Sequence, residues 1–82
     1  MKPNPDEYIV SNPLGFGGAI RWFRHEREMT QAELARRARM HVPRLSDMEQ
    51  GKVTRQMESL VRLCQVLDVE IVIRMAHGGQ NR

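Results

Sequence analysis

The strongest constraint on the fold is a clear start signal for one helix, followed by an early end of that helix and the start of another. Thr30 and Glu33 have capping-box spacing, in which the hydroxyl accepts the backbone N–H three residues on and the carboxylate reaches back. The helical pattern breaks at 39–41. Pro43, which suits only the first turn of a helix, then restarts it. The sequence therefore predicts two short helices joined by a tight turn, the second starting at residue 41 or 42.

A further helix is predicted upstream of this pair. Phe16, Ile20 and Phe23 recur at i, i+4 and i+7, which places them on one helix face. Ser11 is the candidate N-cap. Three glycines near the helix start weaken it by about 1 kcal/mol each relative to Ala, so packing must hold it or another backbone must approach there. Trp22 lies off the stripe and fits either a half-exposed ring or an interface contact.

Another helix is predicted downstream of the pair. Gly51 is expected to end the third helix, residues 52–55 form a loop, and a fourth helix is predicted over residues 56–67. The residues expected to face the core in the second, third and fourth helices are Leu34, Ala35, Ala38, Leu45, Met48, Met57, Leu60, Cys64 and Leu67.

The two ends of the chain differ in kind from its helical centre. Residues 1–12 show no helical period and are interpreted as a flexible arm, within which Tyr8, Ile9 and Val10 can anchor on the domain. Residues 77–82 are interpreted as a disordered tail. Residues 69–75 alternate as a strand does, and no other segment predicts a convincing strand. A lone strand cannot satisfy its hydrogen bonds, so segment 69–76 is predicted to pair with its copy in a second chain. The residues assigned to this dimer strand are Val69, Ile71, Val72, Ile73 and Met75.

Length and composition exclude several classes of protein. Eighty-two residues suit one domain, in which a catalytic cleft is hard to fit. The single cysteine, Cys64, excludes an internal disulfide, and the histidine spacing is not that of a zinc site. With no nucleophile–base pair and no phosphate-binding glycine motif, we expect no enzyme, metal or cofactor. The longest apolar run, 71–73, is too short for a membrane span, and a cytoplasmic protein is expected.

The basic residues point to an anionic partner. Lys and Arg number 13 against 10 Asp and Glu, for a net charge of +3. Residues 30–55 hold six basic and three acidic side chains, so this third of the chain carries the whole excess. Eleven of the 13 basic residues are Arg, whose planar guanidinium bonds phosphate and guanine in a bidentate way. A solvated surface charge is the alternative interpretation.

Three features together resemble a known family. They are Arg24, the pattern T-Q-x-E-L-A over residues 30–35, and the pattern L-S-x-x-E-x-G-K over residues 45–52. They resemble the Xre/Cro family of lambda-repressor-like proteins over about residues 14–68. The resemblance implies a mainly α fold, a four- to five-helix helix-turn-helix domain over residues 13–68 closed by one C-terminal strand.

The resemblance also implies a DNA-binding surface, and with it association with the nucleoid. The third helix would enter the major groove as the recognition helix, between phosphate contacts on either side. Base contacts fall by position to His41, Val42, Pro43, Arg44, Ser46 and Asp47. Phosphate contacts fall to Gln31, Lys52, Thr54 and Arg55. Arg44 can bond guanine, whereas Val42 and Pro43 can meet only a thymine methyl group or a sugar.

One implied contact is structural, and several positions depart from the family pattern. Arg24 and Glu49 match the buried ion pair between the first and third helices. The usual turn glycine is Arg39, which must either adopt a left-handed backbone or remodel the turn. The usual Ser or Thr cap of the recognition helix is His41, and the usual glycine after the fourth helix is Asp68.

A short helix-turn-helix body closed by a strand is similar to the HipB-like antitoxins. That resemblance implies a homodimeric repressor that binds a palindromic operator in double-stranded DNA, with a toxin, kinase-like in that subgroup, as protein partner. Two alternatives stay open: a stand-alone phage-type or metabolic repressor, and a protein-interaction module that has lost specific DNA reading.

Overall fold

The computed structural model describes residues 6–52 and 54–76. Four helices are flanked by two short strands that pair with each other. In chain order the elements are β1 (Glu7–Val10), α1 (Leu14–Glu26), α2 (Gln31–Ala38), α3 (Val42–Glu49), α4 (Arg55–Leu67) and β2 (Ile71–Arg74). Within the described part of the chain, no helix is both long enough and apolar enough to cross a membrane.

The helix starts follow the local sequence chemistry closely. The Thr30 hydroxyl accepts the Glu33 backbone N–H at 3.0 Å, as predicted. The Glu33 carboxylate accepts hydrogen bonds from Arg36 and Arg37. The prediction of Ser11 as the first cap is wrong, because α1 begins at Leu14 and the Asn12 side chain accepts the Leu14 backbone N–H at 3.0 Å.

Three helix ends use a left-handed residue that is not glycine. Arg39 ends α2 with φ of 57°, which decides between the two conformations expected for this turn. Asp68 ends α4 with φ of 60°, and Glu28 follows α1 with φ of 55°. Each L-residue in this conformation costs about 1–2 kcal/mol, because its Cβ approaches the next carbonyl oxygen. Only after α3 does a glycine, Gly51, take a positive φ among the described residues.

The core differs from the predicted one on α2 and α4. The buried apolar residues are Val10, Ala19, Ala35, Leu45 and Val61. Ala38 was predicted to face inward but is exposed. On α4, Leu60 and Leu67 were also predicted inward, yet they are 49% and 69% exposed, and Val61 enters the core instead. Met57 and Cys64, the other two residues predicted to face inward, are half-buried. The predicted stripe of α4 is therefore correct at Met57 and Cys64 and wrong at Leu60 and Leu67.

Helices α1 and α3 approach each other at a glycine. A Cβ built on Gly17 would lie 1.8 Å from the Met48 carbonyl oxygen, so only a residue without a side chain fits there. The close backbone approach expected near the start of α1 is thus made to α3. Trp22 is half-buried and packs edge-to-face on Phe23, with ring centroids 4.9 Å apart.

The prediction that the C-terminal strand lacks a partner in its own chain is wrong. β1 pairs antiparallel with β2, with Tyr8 opposite Ile73 and Val10 opposite Ile71. Residues 6–12 are therefore not a free arm. Tyr8 and Val10 face α1, since Cβ atoms built on Gly18 and Gly15 would contact them. The expected flexibility of residues 1–5 and of the tail at 77–82 lies outside the described residues.

Candidate nucleic-acid interface

The first turn of α3 presents a continuous exposed surface. His41 caps the helix with an extended backbone and no side-chain capping bond, so its imidazole is not used to hold the helix. Val42, Pro43 and Arg44 follow, all exposed, and Asp47 is exposed one turn later. Pro43 is accommodated at the helix start, where its missing N–H leaves no bond unmade.

Two of the predicted base-contacting residues have partners in their own chain. The Ser46 hydroxyl accepts a hydrogen bond from the Gln50 amide at 3.0 Å. The Asp47 carboxylate lies 3.2 Å from the Lys52 ammonium, an exposed ion pair that contributes little stability. Arg44 has no ion-pair partner among the described residues. Among the described side chains of α3, the guanidinium of Arg44 is therefore a charge available to an outside ligand.

Three of the four predicted phosphate contacts lie at helix starts on either side of α3, and the fourth, Lys52, lies in the loop after α3. Gln31 is the first residue of α2, and its amide donates to the Glu49 carboxylate at 3.0 Å. Thr54 caps α4, its hydroxyl accepting the Met57 backbone N–H at 3.2 Å, and Arg55 is the exposed first residue of that helix. These starts carry unpaired N–H groups, which favour anions.

Glu49 joins α1, α2 and α3 through one buried carboxylate. Arg24 donates to both of its oxygens, from Nε at 2.7 Å and from Nη2 at 2.9 Å. The side chains of Arg24 and Glu49 are only 9% and 3% exposed. The remaining guanidinium nitrogen of Arg24 donates to the Met29 carbonyl at 2.8 Å. The predicted ion pair is thus present and buried, and it also fixes the Gln31 amide.

The charges of this network hold each other ionised. Hydrogen bonds from Arg24, opposed by burial and helped by the Gln31 amide, lower the pKa of Glu49. The hydrogen bond to Glu49 raises the pKa of Arg24. The charge of Arg21, one turn before Arg24, also contributes to lowering the pKa of Glu49.

Arg21 is a site residue that the sequence motifs do not indicate. It lines a polar cavity of about 220 Å³ with Arg24, Gln31, Glu49 and Gln50. Its only sequence signal is its spacing, three residues before Arg24, which puts both guanidinium groups on one face of α1. The cavity opens where the start of α2 meets the end of α3.

Comparison with known protein families agrees with this architecture. The family described as Helix-turn-helix domain matches residues 16–74, more than two thirds of the chain. The chain belongs to the helix-turn-helix domain family. The match begins inside α1 and ends at the last residue of β2, so β1 lies outside it. No curated protein and no solved structure matches the chain.

Membership in the helix-turn-helix domain family supports a DNA-binding regulator, with DNA as a partner. Domains of this family are typically not enzymes. The matched region contains all four helices apart from the first two residues of α1, and hence every residue of the exposed α3 surface.

The free energy of unfolding of the helix-turn-helix domain is expected to fall at low pH because Glu49 becomes protonated. Because its folded pKa is lowered, the ionised carboxylate stabilises the fold above the unfolded pKa of about 4.3, and this contribution is lost as pH falls through the folded pKa. Chemical denaturation between about pH 6 and pH 3 should therefore show a steeper loss for the wild type than for an Arg24→Met, Glu49→Leu variant.

Glu33 provides the control. Arg36 and Arg37 lower its pKa too, but these ion pairs are exposed and solvent-screened. Glu33→Gln should keep the acid dependence of the wild type. Equal acid slopes for wild type and the double variant would contradict the assignment to Glu49.

Proposed function

We propose that the chain is a sequence-specific transcriptional repressor that binds a palindromic operator as a homodimer. The observation that carries the proposal is the exposed first turn of α3, in which Arg44 has no ion-pair partner among the described residues. A helix presented in this way can lie in the major groove, and an unpaired Arg can bond the O6 and N7 atoms of guanine.

The remaining residues of this surface divide into readers and phosphate contacts. Val42 and Pro43 supply apolar contacts suited to a thymine methyl group. His41 can donate or accept at a base edge, and Ser46 can contribute once Gln50 releases its hydroxyl. Asp47 accepts from cytosine only if Lys52 moves from it to a phosphate. DNA binding is thus proposed to exchange an internal ion pair for two external contacts.

The dimer is proposed to form on the outer face of α4 and the exposed edge of β2. Leu63, Val66 and Leu67 are 60%, 79% and 69% exposed and lie on one side of α4. Val69 and Val72, which follow α4 in the chain, are also exposed. Within the described residues β2 has one strand neighbour, β1, so its other edge can pair with β2 of a second copy. A two-fold axis there makes the same patch serve both chains.

The further proposal of an antitoxin role rests on the resemblance to HipB-like proteins and on this short, strand-closed body. It predicts a toxin encoded beside the repressor. Expression of the neighbouring gene alone should arrest growth, and co-expression of this chain should restore it. Growth unaffected by the neighbouring gene would leave a stand-alone repressor as the better interpretation.

Arg44 and Lys52 are expected to act differently on DNA. Arg44→Ala should weaken binding to the operator by about 1–3 kcal/mol and relax the preference at one base pair, because a base contact is lost. Lys52→Ala should weaken specific and random DNA alike, because phosphates carry no sequence information. Electrophoretic shifts on both DNAs measure the difference.

Equal losses on operator and random DNA from both variants would contradict the role of Arg44 as a base reader. Wild-type binding that ignores sequence altogether would favour an interaction module over a repressor. Binding that barely changes between about 50 and 200 mM salt would contradict the whole phosphate-contacting surface.

Charge placed on the α4 face is expected to separate the dimer. Leu63→Glu puts a carboxylate where two copies are proposed to meet, and desolvating it opposes association. Leu14 is equally exposed, at 60%, but lies at the start of α1. Leu14→Glu is therefore the matched control. Sedimentation should give a monomer for the first variant and a dimer for the second. If the Leu63→Glu variant remains a dimer, this face of α4 is not the dimer interface.

A further inference from the structure

The polar cavity beside Glu49 carries surplus positive charge. It is lined by Arg21, Arg24, Gln31, Glu49 and Gln50. Both Glu49 oxygens already accept hydrogen bonds from Arg24, and one also accepts from Gln31. The ion pair therefore neutralises itself, and the second guanidinium, that of Arg21, leaves the cavity with a net charge of about +1.

Arg21 is exposed and has no hydrogen bond or ion-pair partner among the described residues. A guanidinium facing an open polar cavity can donate to an oxyanion with two N–H groups at once. Within the described residues Arg21 interacts with Glu49 through its charge and donates no hydrogen bond, so its N–H groups are available to such a ligand. Arg21 thus supplies the cavity with N–H donors that no described residue accepts.

The start of α2, where Gln31 also lines the cavity, adds donors that are already oriented. The Gln31 amide is fixed by Glu49 through one of its two N–H groups, which leaves the other to donate. The backbone N–H groups of Gln31 and Ala32, at the start of α2, precede the first intrahelical hydrogen bond. Thr30 occupies the Glu33 N–H, so the two earlier groups remain for a ligand.

We propose that Arg21 and the start of α2 together bind one phosphate of the DNA backbone, with Arg21 as a direct ligand. This inference rests on the proposed DNA-binding function and adds a contact to it. The buried Arg24–Glu49 pair does not bind the phosphate itself. It holds the Gln31 amide in position, while Arg21 supplies the charge.

The test compares Arg21→Gln with Arg62→Gln on a random-sequence duplex. Arg62 is also an exposed Arg, on α4, outside the cavity, so both variants lose one charge. Arg21→Gln should reduce the slope of log K against log salt by about 1 for each lost contact. Arg62→Gln should leave that slope at the wild-type value, and Arg21→Lys should largely retain it.

A second measurement separates this inference from the proposed function. Inorganic phosphate titrated into the free protein should shift the backbone amide resonances of Gln31 and Ala32, and Arg21→Gln should abolish the shifts while Arg62→Gln keeps them. If phosphate shifts these amide resonances but the protein does not bind DNA, the proposed function is wrong and the anion site is still supported. DNA binding with no phosphate shifts, and the same salt slope for both Gln variants, would overturn the role of Arg21.

Discussion

Replacing Gly17 with Ala is expected to destabilise the domain by about 3 kcal/mol, near the upper end for overpacking of a core. The added methyl group would meet the Met48 carbonyl oxygen at 1.8 Å. This oxygen belongs to backbone inside α3, which cannot turn aside as a side chain can. The helices must separate instead, and Ala19 and Leu45, both buried, would lose contacts. Chemical denaturation measures the loss.

Gly18 provides a matched control on the same helix. A Cβ there would lie 2.6 Å from the Tyr8 hydroxyl, the far end of a flexible side chain. Gly18→Ala also gains about 1 kcal/mol of helix propensity, so its net effect should stay within about 1 kcal/mol of the wild type. Similar losses from both variants would show that α1 and α3 do not meet at Gly17.

Replacing Arg24 with Ala is expected to destabilise the domain by about 3–5 kcal/mol, because it leaves Glu49 as a buried carboxylate without its countercharge. Only the Gln31 amide would still donate to Glu49, and the Met29 carbonyl would lose its donor as well. Thermal or urea denaturation of the variant should show the loss directly, with the transition remaining cooperative.

Two comparisons show whether burial is the cause. The Arg24→Met, Glu49→Leu variant removes both charges and should recover most of the stability, since apolar pairs replace buried ion pairs at little loss. Arg36→Ala breaks an exposed pair whose Arg side chain is 70% exposed and should change stability hardly at all. An Arg24→Ala variant within about 0.5 kcal/mol of the wild type would mean that solvent reaches the pair.

The helices could be predicted because their signals are local. The Thr30 hydroxyl and the Glu33 N–H are three residues apart, and the Pro43 ring restricts the backbone at its own position. The turn at Arg39 left two options because the local sequence gives only the cost of a left-handed Arg, about 1–2 kcal/mol, and not whether a different turn avoids that cost. Tertiary packing decides between them.

β1 could not be predicted because its pairing is not local. Four residues, Glu7–Val10, are too few to give a clear alternation, and Pro3 and Pro5 precede them. They become a strand through the backbone of β2, about 60 residues away. Because β1 gives no clear signal in the sequence, β2 is predicted to lack a partner in its own chain, although β1 pairs with it.

The inward face of α4 could not be predicted in full because this helix has apolar residues on two sides. Val61 lies in the core, whereas Leu63 and Val66 lie outside it. Periodicity gives the spacing of a face but not which of two apolar faces turns inward. An apolar surplus of this kind is typical of a helix that contacts a second molecule.

The candidate site was predictable where a motif fixes geometry. Arg24 and Glu49 were expected to pair and do so at 2.7 Å. That the Gln31 amide binds the same carboxylate required coordinates, because it depends on how α2 crosses α3. Arg21 had no motif at all, and only the shape of the cavity connects it with the other residues.

The β1–β2 pairing also sets an order of events during synthesis. About 60 residues separate Val10 from Ile71, which a ribosome adds in roughly 3–12 s at about 5–20 residues per second. Helices form within microseconds, so α1 through α4 can fold as they emerge. Throughout that interval β1 has been made but has no strand to bond. β1, the first of the described elements to be translated, is thus the last to complete its hydrogen bonds, and a chain released before β2 is made would leave β1 without a strand partner.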